Sequence, residues 1–256
     1  MGMTWAILSS EAIKLRRSAP VRLAIGAPAL LFALELLTLF GRRTINATNS
    51  SALWTDLLSF GWILWLGLFS PALIVFEAIC LADLEHRGRH WKQLFALPIP
   101  RWKIVAVKML FCGLLVGASF VAFALTSLGG VLFFSWVRGL HLMASTPGLE
   151  MLLTGLRAYL ACWLLIVIHT WLSIRFPGFP VPAGIAFAAM VIGVLLVNIS
   201  PGVFGWWYPW TLPINVRPQG LYDSHNTLAP ALFGGFAGMV LAPFAAWDLG
   251  RRPKDV

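Results

Sequence analysis

The stretch Asp83-Leu-Glu-His-Arg-Gly-Arg-His-Trp-Lys-Gln-Leu-Phe-Ala-Leu-Pro98-Ile-Pro-Arg101-Trp-Lys103 is a charged, proline-terminated island between two long apolar segments. Elsewhere the chain mostly avoids charge, since 59% of its 256 residues are hydrophobic and only 11% are charged. A soluble globular domain has about 45–50% apolar and about 25% charged residues. The composition therefore predicts an all-α, polytopic membrane protein, because backbone groups in lipid must be satisfied within helices.

Six apolar segments are long enough to cross a bilayer, which takes about 20 residues per helix. They cover approximately residues 20–40, 53–81, 104–134, 152–174, 181–200 and 228–248. We expect one transmembrane domain over residues 1–256, built as a bundle of six transmembrane helices. The first apolar segment is too long for the apolar part of a cleavable signal peptide, so we interpret it as a retained span.

The distribution of Lys and Arg predicts the orientation of these spans. If the N-terminus is cytoplasmic, five of the 19 Lys and Arg residues lie on the outer side and the rest lie on the inner side. The five are Arg42, Arg43, Arg138, Arg157 and Arg217. This asymmetry predicts a multi-pass protein of the inner (cytoplasmic) membrane with both termini in the cytoplasm. In such a protein the net charge of +9 sets topology and attracts anionic membrane lipid, so we expect no nucleic-acid partner.

A short amphipathic helix is predicted over residues 4–17, before the first span. Apolar side chains recur there at helical spacing, at Trp5, Leu8, Ala12 and Leu15. Ser10, Glu11 and Lys14 lie elsewhere on the helix. We therefore expect this helix to lie in the membrane interface.

A second short helix is predicted over residues 84–97, within the charged island. Asp83 and Glu85 lie near its start, where the helix dipole favours acidic groups, and Pro98 ends it. Its spacing leaves two interpretations open. It is either a docking element through which a soluble partner moves the bundle or an ordinary basic loop with interfacial tryptophans.

The segment over residues 200–227 differs in composition from the spans, with few aliphatic residues and several prolines. Its aromatic residues include Trp206, Trp207, Tyr208 and Trp210. This composition does not favour a regular span, so we expect the segment at the outer interface, with a partly re-entrant hairpin as one arrangement. Its tryptophans are either substrate contacts or part of an aromatic belt.

Two acidic residues fall within predicted spans, where a charge at the bilayer centre costs at least ~2.5–3.5 kcal/mol. Glu35 lies in the outer half of the first span and either contacts substrate or pairs with Arg138 or Arg157. Glu77 lies near the inner end of the second span. We expect its carboxylate to reach the inner headgroups.

No catalytic residue and no metal site is predicted. His86 and His90 have the i, i+4 spacing of zinc ligands, but the neighbouring Arg and Lys residues would repel a dication. Cys80, Cys112 and Cys162 lie in apolar stretches and are expected to pack as small hydrophobic residues. The pairs Gly113/Gly117 and Gly234/Gly238 match G-x-x-x-G and predict close helix packing without locating a dimer interface.

Three motifs resemble permease subunits of type-2 ATP-binding-cassette (ABC) exporters, in particular the lantibiotic-immunity and bacitracin-type branch. The opening Ser10-Glu11-Ala-Ile-Lys14-Leu-Arg-Arg-Ser18 is similar to that family's E-x-x-K-x-[KR]-[KR] pattern. The loop Glu85…Trp91-Lys-Gln-Leu94…Leu97-Pro-Ile-Pro-Arg101…Lys108 is similar to its loop between spans two and three. Tyr208-Pro-Trp210-Thr-Leu-Pro213 resembles the Pro-Trp segment before its last span.

The resemblance implies that residues 84–97 form a cytoplasmic coupling helix and residues 4–17 a connecting helix that braces it. It implies ATPase-docking residues Glu85, Trp91, Leu94 and Arg101, and brace contacts Glu11 and Lys14. It also implies a dimeric ABC-type ATPase partner, which would hold ATP and Mg²⁺, and a second permease copy. This chain binds no cofactor in that scheme, and the sequence indeed lacks the G-x-x-x-x-G-K-[ST] phosphate-binding motif.

The leading hypothesis is the permease of an exporter for an amphipathic or lipid-like substrate, such as an antimicrobial peptide or a drug. Its candidate substrate contacts are Glu35, Trp206, Trp207 and Trp210. One alternative is a stand-alone secondary transporter, which would favour internal repeats and mid-bilayer charges. The other is an intramembrane enzyme, which requires paired polar groups on facing helices that the sequence does not show.

Overall fold

The computed structural model describes residues 3–16, 18–41, 58–87, 100–139, 148–199, 207–217 and 227–251. These residues form seven α-helices and two short 3₁₀ turns, with no strand among them. The helices are α1 (Met3–Leu15), α2 (Ala19–Gly41), α3 (58–87), α4 (Arg101–Val137), α5 (Gly148–Arg175), α6 (Pro180–Ile199) and α7 (Leu228–Arg251). The 3₁₀ turns, Pro209–Thr211 and Ile214–Val216, lie between α6 and α7.

Five of these helices, α2, α3, α4, α5 and α7, are long and apolar enough to cross a membrane. The all-helical, polytopic membrane fold expected from the sequence is therefore confirmed. The fifth of the six predicted spans corresponds to α6, whose apolar part Pro180–Leu196 is shorter than the others. A sixth membrane crossing at α6 stays a prediction.

Helix α3 continues past the predicted end of the second span. The structure has one helix through Arg87, so residues 84–87 belong to α3 and do not begin a separate helix. The extension has a physical reason, because Leu81 and Glu85 still pack against α4 through contacts with Lys108. The remainder of the predicted coupling helix, residues 88–97, lies outside the described residues.

The centre of the bundle is an aromatic cluster between α3 and α4. Trp65 is fully buried and stacks on Phe123, with ring centroids 4.7 Å apart, while Phe120 meets the indole edge-on at 5.6 Å. Trp65 also begins a π-helical stretch, Trp65–Phe69, within α3. Such stretches interrupt the regular hydrogen-bond ladder and frequently occur at functional sites.

Helices α5 and α7 approach each other through small residues. A Cβ atom at Gly234 would overlap the carbonyl oxygen of Ala161, and one at Gly238 would lie 2.9 Å from the carbonyl carbon of Trp163. The second small-residue pair lies beneath aromatic rings of α5, where a Cβ at Gly113 would lie 3.0 Å from the Trp163 ring. Both G-x-x-x-G pairs therefore serve packing within this chain.

Both ends of the described chain lie at the same end of the bundle. Arg101, at the start of α4, donates a hydrogen bond to the Gly250 carbonyl near the end of α7. Lys108, two turns further along α4, contacts Glu11 of α1. We call this end, which holds α1 and Gly250, the terminal end of the bundle.

Candidate functional site

Four charged side chains from three helices meet at the terminal end of the bundle. This charge cluster consists of Glu11 and Lys14 from α1, Glu85 from α3 and Lys108 from α4. The Lys108 ammonium lies 3.1 Å from Glu11 Oε2 and 3.3 Å from Glu85 Oε1. The Lys14 ammonium lies 2.7 Å from Glu85 Oε1 and 3.1 Å from Glu11 Oε1. Each lysine therefore bridges the same two carboxylates.

The cluster balances its charges inside the protein. The side chains of Lys108 and Glu85 are each 1% exposed, so their charges are almost wholly removed from water. Burial alone would lower the pKa of Lys14, but its hydrogen bond to Glu85 and the negative charges of Glu11 and Glu85 outweigh this, and the pKa is raised. Two ammonium groups and two carboxylates in mutual contact satisfy the requirement that buried charges be paired.

The buried face of α1 places Glu11 against the bundle. Ile7, Glu11 and Leu15 recur every four residues and are all buried, whereas Ala12 and Ile13 are exposed. The sequence analysis placed Ala12 on the apolar face expected to lie in the membrane interface and Glu11 elsewhere, whereas in the structure Glu11 lies on the face that packs against the bundle and Ala12 is exposed. The reason is electrostatic. Glu11 can be buried because Lys108 of α4 provides a cation beside it, and the sequence of α1 alone does not reveal this partner.

The four residues proposed for docking an ATPase lie in different surroundings. Glu85 is fully buried and paired with Lys14 and Lys108, so in this structure its carboxylate is not at a surface. Arg101 is half-buried and ties the start of α4 to α7. Trp91 and Leu94 lie outside the described residues.

Lys108 is the member of the cluster that sequence reasoning did not select. It was counted among the cytoplasmic basic residues that set orientation and lay at the end of the loop motif that resembles the family, but no contact was assigned to it. A local signal did exist, because an ammonium group seven residues into a long apolar helix needs a buried anion or a route to the surface. What the sequence could not reveal is that its partners would come from residues 11 and 85.

Glu77 is buried in the middle of the bundle and does not reach the headgroups, contrary to the sequence interpretation. It is fully inaccessible, and its Oε1 accepts a hydrogen bond of 3.4 Å from Ser119 of α4. Its Oε2 has no hydrogen-bond partner. The expectation failed because α4 covers this turn of α3.

Glu35 is also buried, between α2, α3 and α4. Ser127 donates a 3.3 Å hydrogen bond to its Oε2, and a Cβ at Gly61 would lie 2.7 Å from its Oε1. In the described part of the chain its carboxylate pairs with neither predicted arginine, since Arg138 donates to the Phe40 carbonyl and Arg157 to the Thr227 hydroxyl. The alternative pairing of Glu35 with Arg138 or Arg157 was wrong.

Residues 207–217 pack between helices of the bundle and do not lie along its outer end. The Tyr208 hydroxyl donates to the Ala189 carbonyl, halfway along α6, and its ring covers Gly193. Ile214 contacts α3, where a Cβ at Gly67 would lie 3.0 Å from it. The segment thus packs against the π-helical stretch of α3, and burial raises the pKa of the Tyr208 phenol.

The candidate substrate contacts in this segment differ in exposure. Trp207 is 38% exposed, whereas Trp210 is half-buried and lies edge-on to His169, with ring centroids 5.5 Å apart. Trp206 lies outside the described residues. Arg217, which ends the segment, is buried, and this burial lowers the pKa of its guanidinium.

No group of three or more His, Cys, Asp or Glu side chains suited to a metal occurs in the described ranges. His86 lies with its Nε2 3.1 Å from the Ser173 carbonyl oxygen. His90 falls outside the described residues. Cys112 and Cys162 are buried and Cys80 is half-buried, all three as free thiols.

The fold and the charge cluster together define a polytopic helical membrane protein whose N-terminal helix is fixed by charge to two of its membrane-spanning helices. The chain belongs to the ABC-2 family transporter proteins, because the model of that family matches residues 7–193. No curated protein and no solved structure matches the chain significantly.

Membership of this family assigns the chain to the membrane component of a transporter, which is not itself catalytic. It also implies an ABC-type ATPase as a partner in general. The expectation of an ABC permease is thus confirmed at the level of the family.

Proposed function

We propose that this chain is the permease subunit of an ABC exporter that moves an amphipathic or lipid-like substrate, such as an antimicrobial peptide or a drug, out of the membrane. A separate dimeric ATPase would bind ATP and Mg²⁺ and supply the energy. The resemblance of the motifs around Glu11, Glu85 and Tyr208 supports assigning it to the lantibiotic-immunity and bacitracin-type branch. In this proposal the terminal end faces the cytoplasm of a cell whose inner membrane holds the protein.

The observation that carries the proposal is the position of the charge cluster relative to residues 88–99. This stretch leaves α3 after Arg87 and enters α4 at Arg101. The Glu85–Lys108 ion pair links the end of α3 to the start of α4. Glu11 and Lys14 link α1 to α4 and α3. A force applied to the loop would therefore act on three helices together.

This arrangement suits transmission from a soluble motor. A loop attached to independent helix ends would move without displacing the bundle, whereas ion pairs that bridge those ends resist separate movement. The sequence of residues 88–99 holds the apolar Trp91 and Leu94 among basic residues, which is the composition of an interface core with a polar rim. We assign Trp91 and Leu94 to ATPase docking, and Glu11, Lys14 and Glu85 to bracing.

The docking assignment is tested by co-purification. We expect Trp91→Ala with Leu94→Ala to abolish co-purification with the partner ABC-type ATPase while membrane insertion remains normal. Trp136→Ala is the matched control, because Trp136 is 77% exposed and lies at the opposite end of α4. Unchanged co-purification together with continued transport would refute the docking role.

The side of the membrane is tested separately. A cysteine introduced at Gln93, in a chain whose Cys80, Cys112 and Cys162 are replaced by serine or alanine, should resist a membrane-impermeant maleimide added to intact cells. It should react once the membrane is permeabilised. Labelling from outside intact cells would place the loop on the wrong side for a cytoplasmic ATPase.

A stand-alone secondary transporter is the second candidate, favoured by one observation. Glu35 and Glu77 are buried carboxyl groups within spans, each with one oxygen lacking a hydrogen-bond partner. Such groups occur on ion pathways in transporters driven by gradients. Transport by this chain alone in vesicles with an ion gradient and no ATPase would favour this candidate. Transport that requires the ATPase and ATP would exclude it.

A further inference from the structure

Arg217 is a buried cation for which the described part of the chain supplies no anion. Arg217 is 8% exposed, and it follows a 3₁₀ turn in which Ile214 and Val216 are buried. Its NH1 group has no hydrogen-bond partner. None of the salt bridges among the described residues includes it.

The protonation chemistry of arginine makes this arrangement informative. A buried carboxyl or histidine can escape the cost of desolvation by becoming neutral, whereas a guanidinium remains charged at any physiological pH. A buried charge without a partner is strongly unfavourable, and in membrane proteins such a group marks a functional site by default. Arg217 therefore offers a buried, unpaired N–H group to an anion that the described residues do not supply.

Other donors near this segment also lack acceptors. The indole N–H of Trp210, in the same segment, is buried and has no hydrogen-bond partner. The same is true of the indole N–H of Trp65, two residues before the Gly67 position that Ile214 covers. The 207–217 segment and the turn of α3 against it thus carry three buried donors without acceptors.

We propose that Arg217 binds the anionic group, a phosphate or carboxylate, of an amphiphile that enters the bundle beside residues 207–217. The planar guanidinium matches both groups because its N–H donors can form two parallel hydrogen bonds to their oxygens. The apolar part of the amphiphile would remain in lipid. As a statement of substrate class this rests on the proposed function, whereas the binding itself requires no ATPase.

Binding is measured on the purified full chain in a neutral detergent, without ATPase. The probes are phosphatidylglycerol, oleate, diacylglycerol and inorganic phosphate, with affinity and the midpoint of thermal unfolding as readouts. We expect phosphatidylglycerol or oleate to bind and raise the midpoint, and diacylglycerol, which carries no anion, to do neither. Binding by diacylglycerol as tight as by phosphatidylglycerol would overturn the proposal.

The source of the anion is read from the same series. Binding of phosphatidylglycerol without inorganic phosphate assigns the site to a lipid-borne phosphate, and binding of oleate extends it to carboxylates. Equal affinity for inorganic phosphate assigns it to a free anion and still supports the site. If none of the anionic probes binds, the proposal is wrong.

The variants isolate the charge. Arg217→Gln should weaken anion binding at least tenfold, and Arg217→Lys should retain part of it because the charge remains without the planar fork. Arg138→Gln is the matched control, since it removes an exposed arginine and has the same net charge as Arg217→Gln. Equal affinities for Arg217→Gln and Arg138→Gln would refute the assignment.

Thermal unfolding gives an independent test of the same idea. Without any anion, Arg217→Met should unfold at the same temperature as the unmodified chain or above it, because it removes an unpaired buried charge. With phosphatidylglycerol the order should reverse. A lower midpoint for Arg217→Met under both conditions would show that Arg217 serves a partner within the chain. Loss of ATPase co-purification would leave these results unchanged, so the two proposals fail separately.

Discussion

Lys108 and Glu85 join α4 to α3 across a distance of 3.3 Å, and neither side chain is more than 1% exposed. The pair would bring little stability at a surface, where exposed ion pairs contribute ~0.2–1 kcal/mol. Inside the protein the situation is asymmetric, because removal of one partner leaves the other charge buried and uncompensated. This asymmetry makes the charge cluster measurable.

Lys108→Met should lower the free energy of unfolding by about 3–5 kcal/mol, the usual effect of breaking a buried ion pair. Among the ion pairs of the described residues, the variant leaves Glu11 and Glu85 with Lys14, which is 33% exposed. Thermal or denaturant unfolding in detergent measures the change. Lys103→Met, on the same helix but half-buried, is the control and should change stability by less than about 1 kcal/mol.

Lys14→Met should be much milder than Lys108→Met, although both lysines contact the same carboxylates. Lys14 is partly solvated, and Lys108 remains to compensate Glu11 and Glu85 when it is removed. We expect a loss of about 1 kcal/mol or less in the same unfolding measurement. If Lys14→Met and Lys108→Met lose the same free energy of unfolding, the difference in solvent exposure does not determine how much each lysine stabilises the protein.

The triple variant Glu11→Gln, Glu85→Gln, Lys108→Met separates stability from transmission. It removes three charges together, so it should recover most of the stability lost in Lys108→Met, since a neutral replacement of buried charges is often tolerated. If the cluster couples the loop to the bundle, transport per ATP hydrolysed by the complex should stay low despite the recovered stability. If stability and transport per ATP both recover, the cluster stabilises the protein but does not couple the loop to the bundle.

Gly234→Ala should destabilise the chain by about 1–3 kcal/mol, the range for overpacking a close-packed site. The added methyl group would overlap the backbone carbonyl of Ala161, and backbone cannot move aside as a flexible side chain does. Gly235→Ala is a matched control one residue away, since its Cβ would lie 3.9 Å from the nearest atom, the Leu160 carbonyl oxygen. Thermal unfolding of the two variants should therefore diverge, and equal midpoints would contradict the close α5–α7 contact.

The sequence predicted the helices well because lipid allows little else. Each apolar segment must satisfy its own backbone hydrogen bonds, so α2, α4, α5 and α7 begin and end within a few residues of the predicted bounds. Glu11 and Lys14 were selected through a family resemblance. The same resemblance implied that they brace residues 84–97, which include Glu85. Contact with Lys108 was not predictable, because tertiary packing decides which distant charges meet.

The segment at residues 207–217 was harder for a related reason. Proline and tryptophan exclude a regular span, but they are equally compatible with an interface and with a buried turn. The depth of the segment depends on Gly67 and Gly193, which leave room for Ile214 and the Tyr208 ring. Nothing within residues 207–217 encodes those gaps.

Trp207→Ala and Trp210→Ala should have opposite profiles. Trp207 is 38% exposed and available to a substrate, so its loss should alter cellular tolerance of amphipathic peptides or drugs while unfolding changes by about 1 kcal/mol or less. Trp210 packs on His169 and Tyr208, with ring centroids 5.5 Å away in each case, so its loss should lower stability by about 3 kcal/mol. Trp247→Ala removes a tryptophan of comparable exposure at the terminal end and serves as the control. If Trp207→Ala and Trp247→Ala give the same tolerance, Trp207 does not contact the substrate.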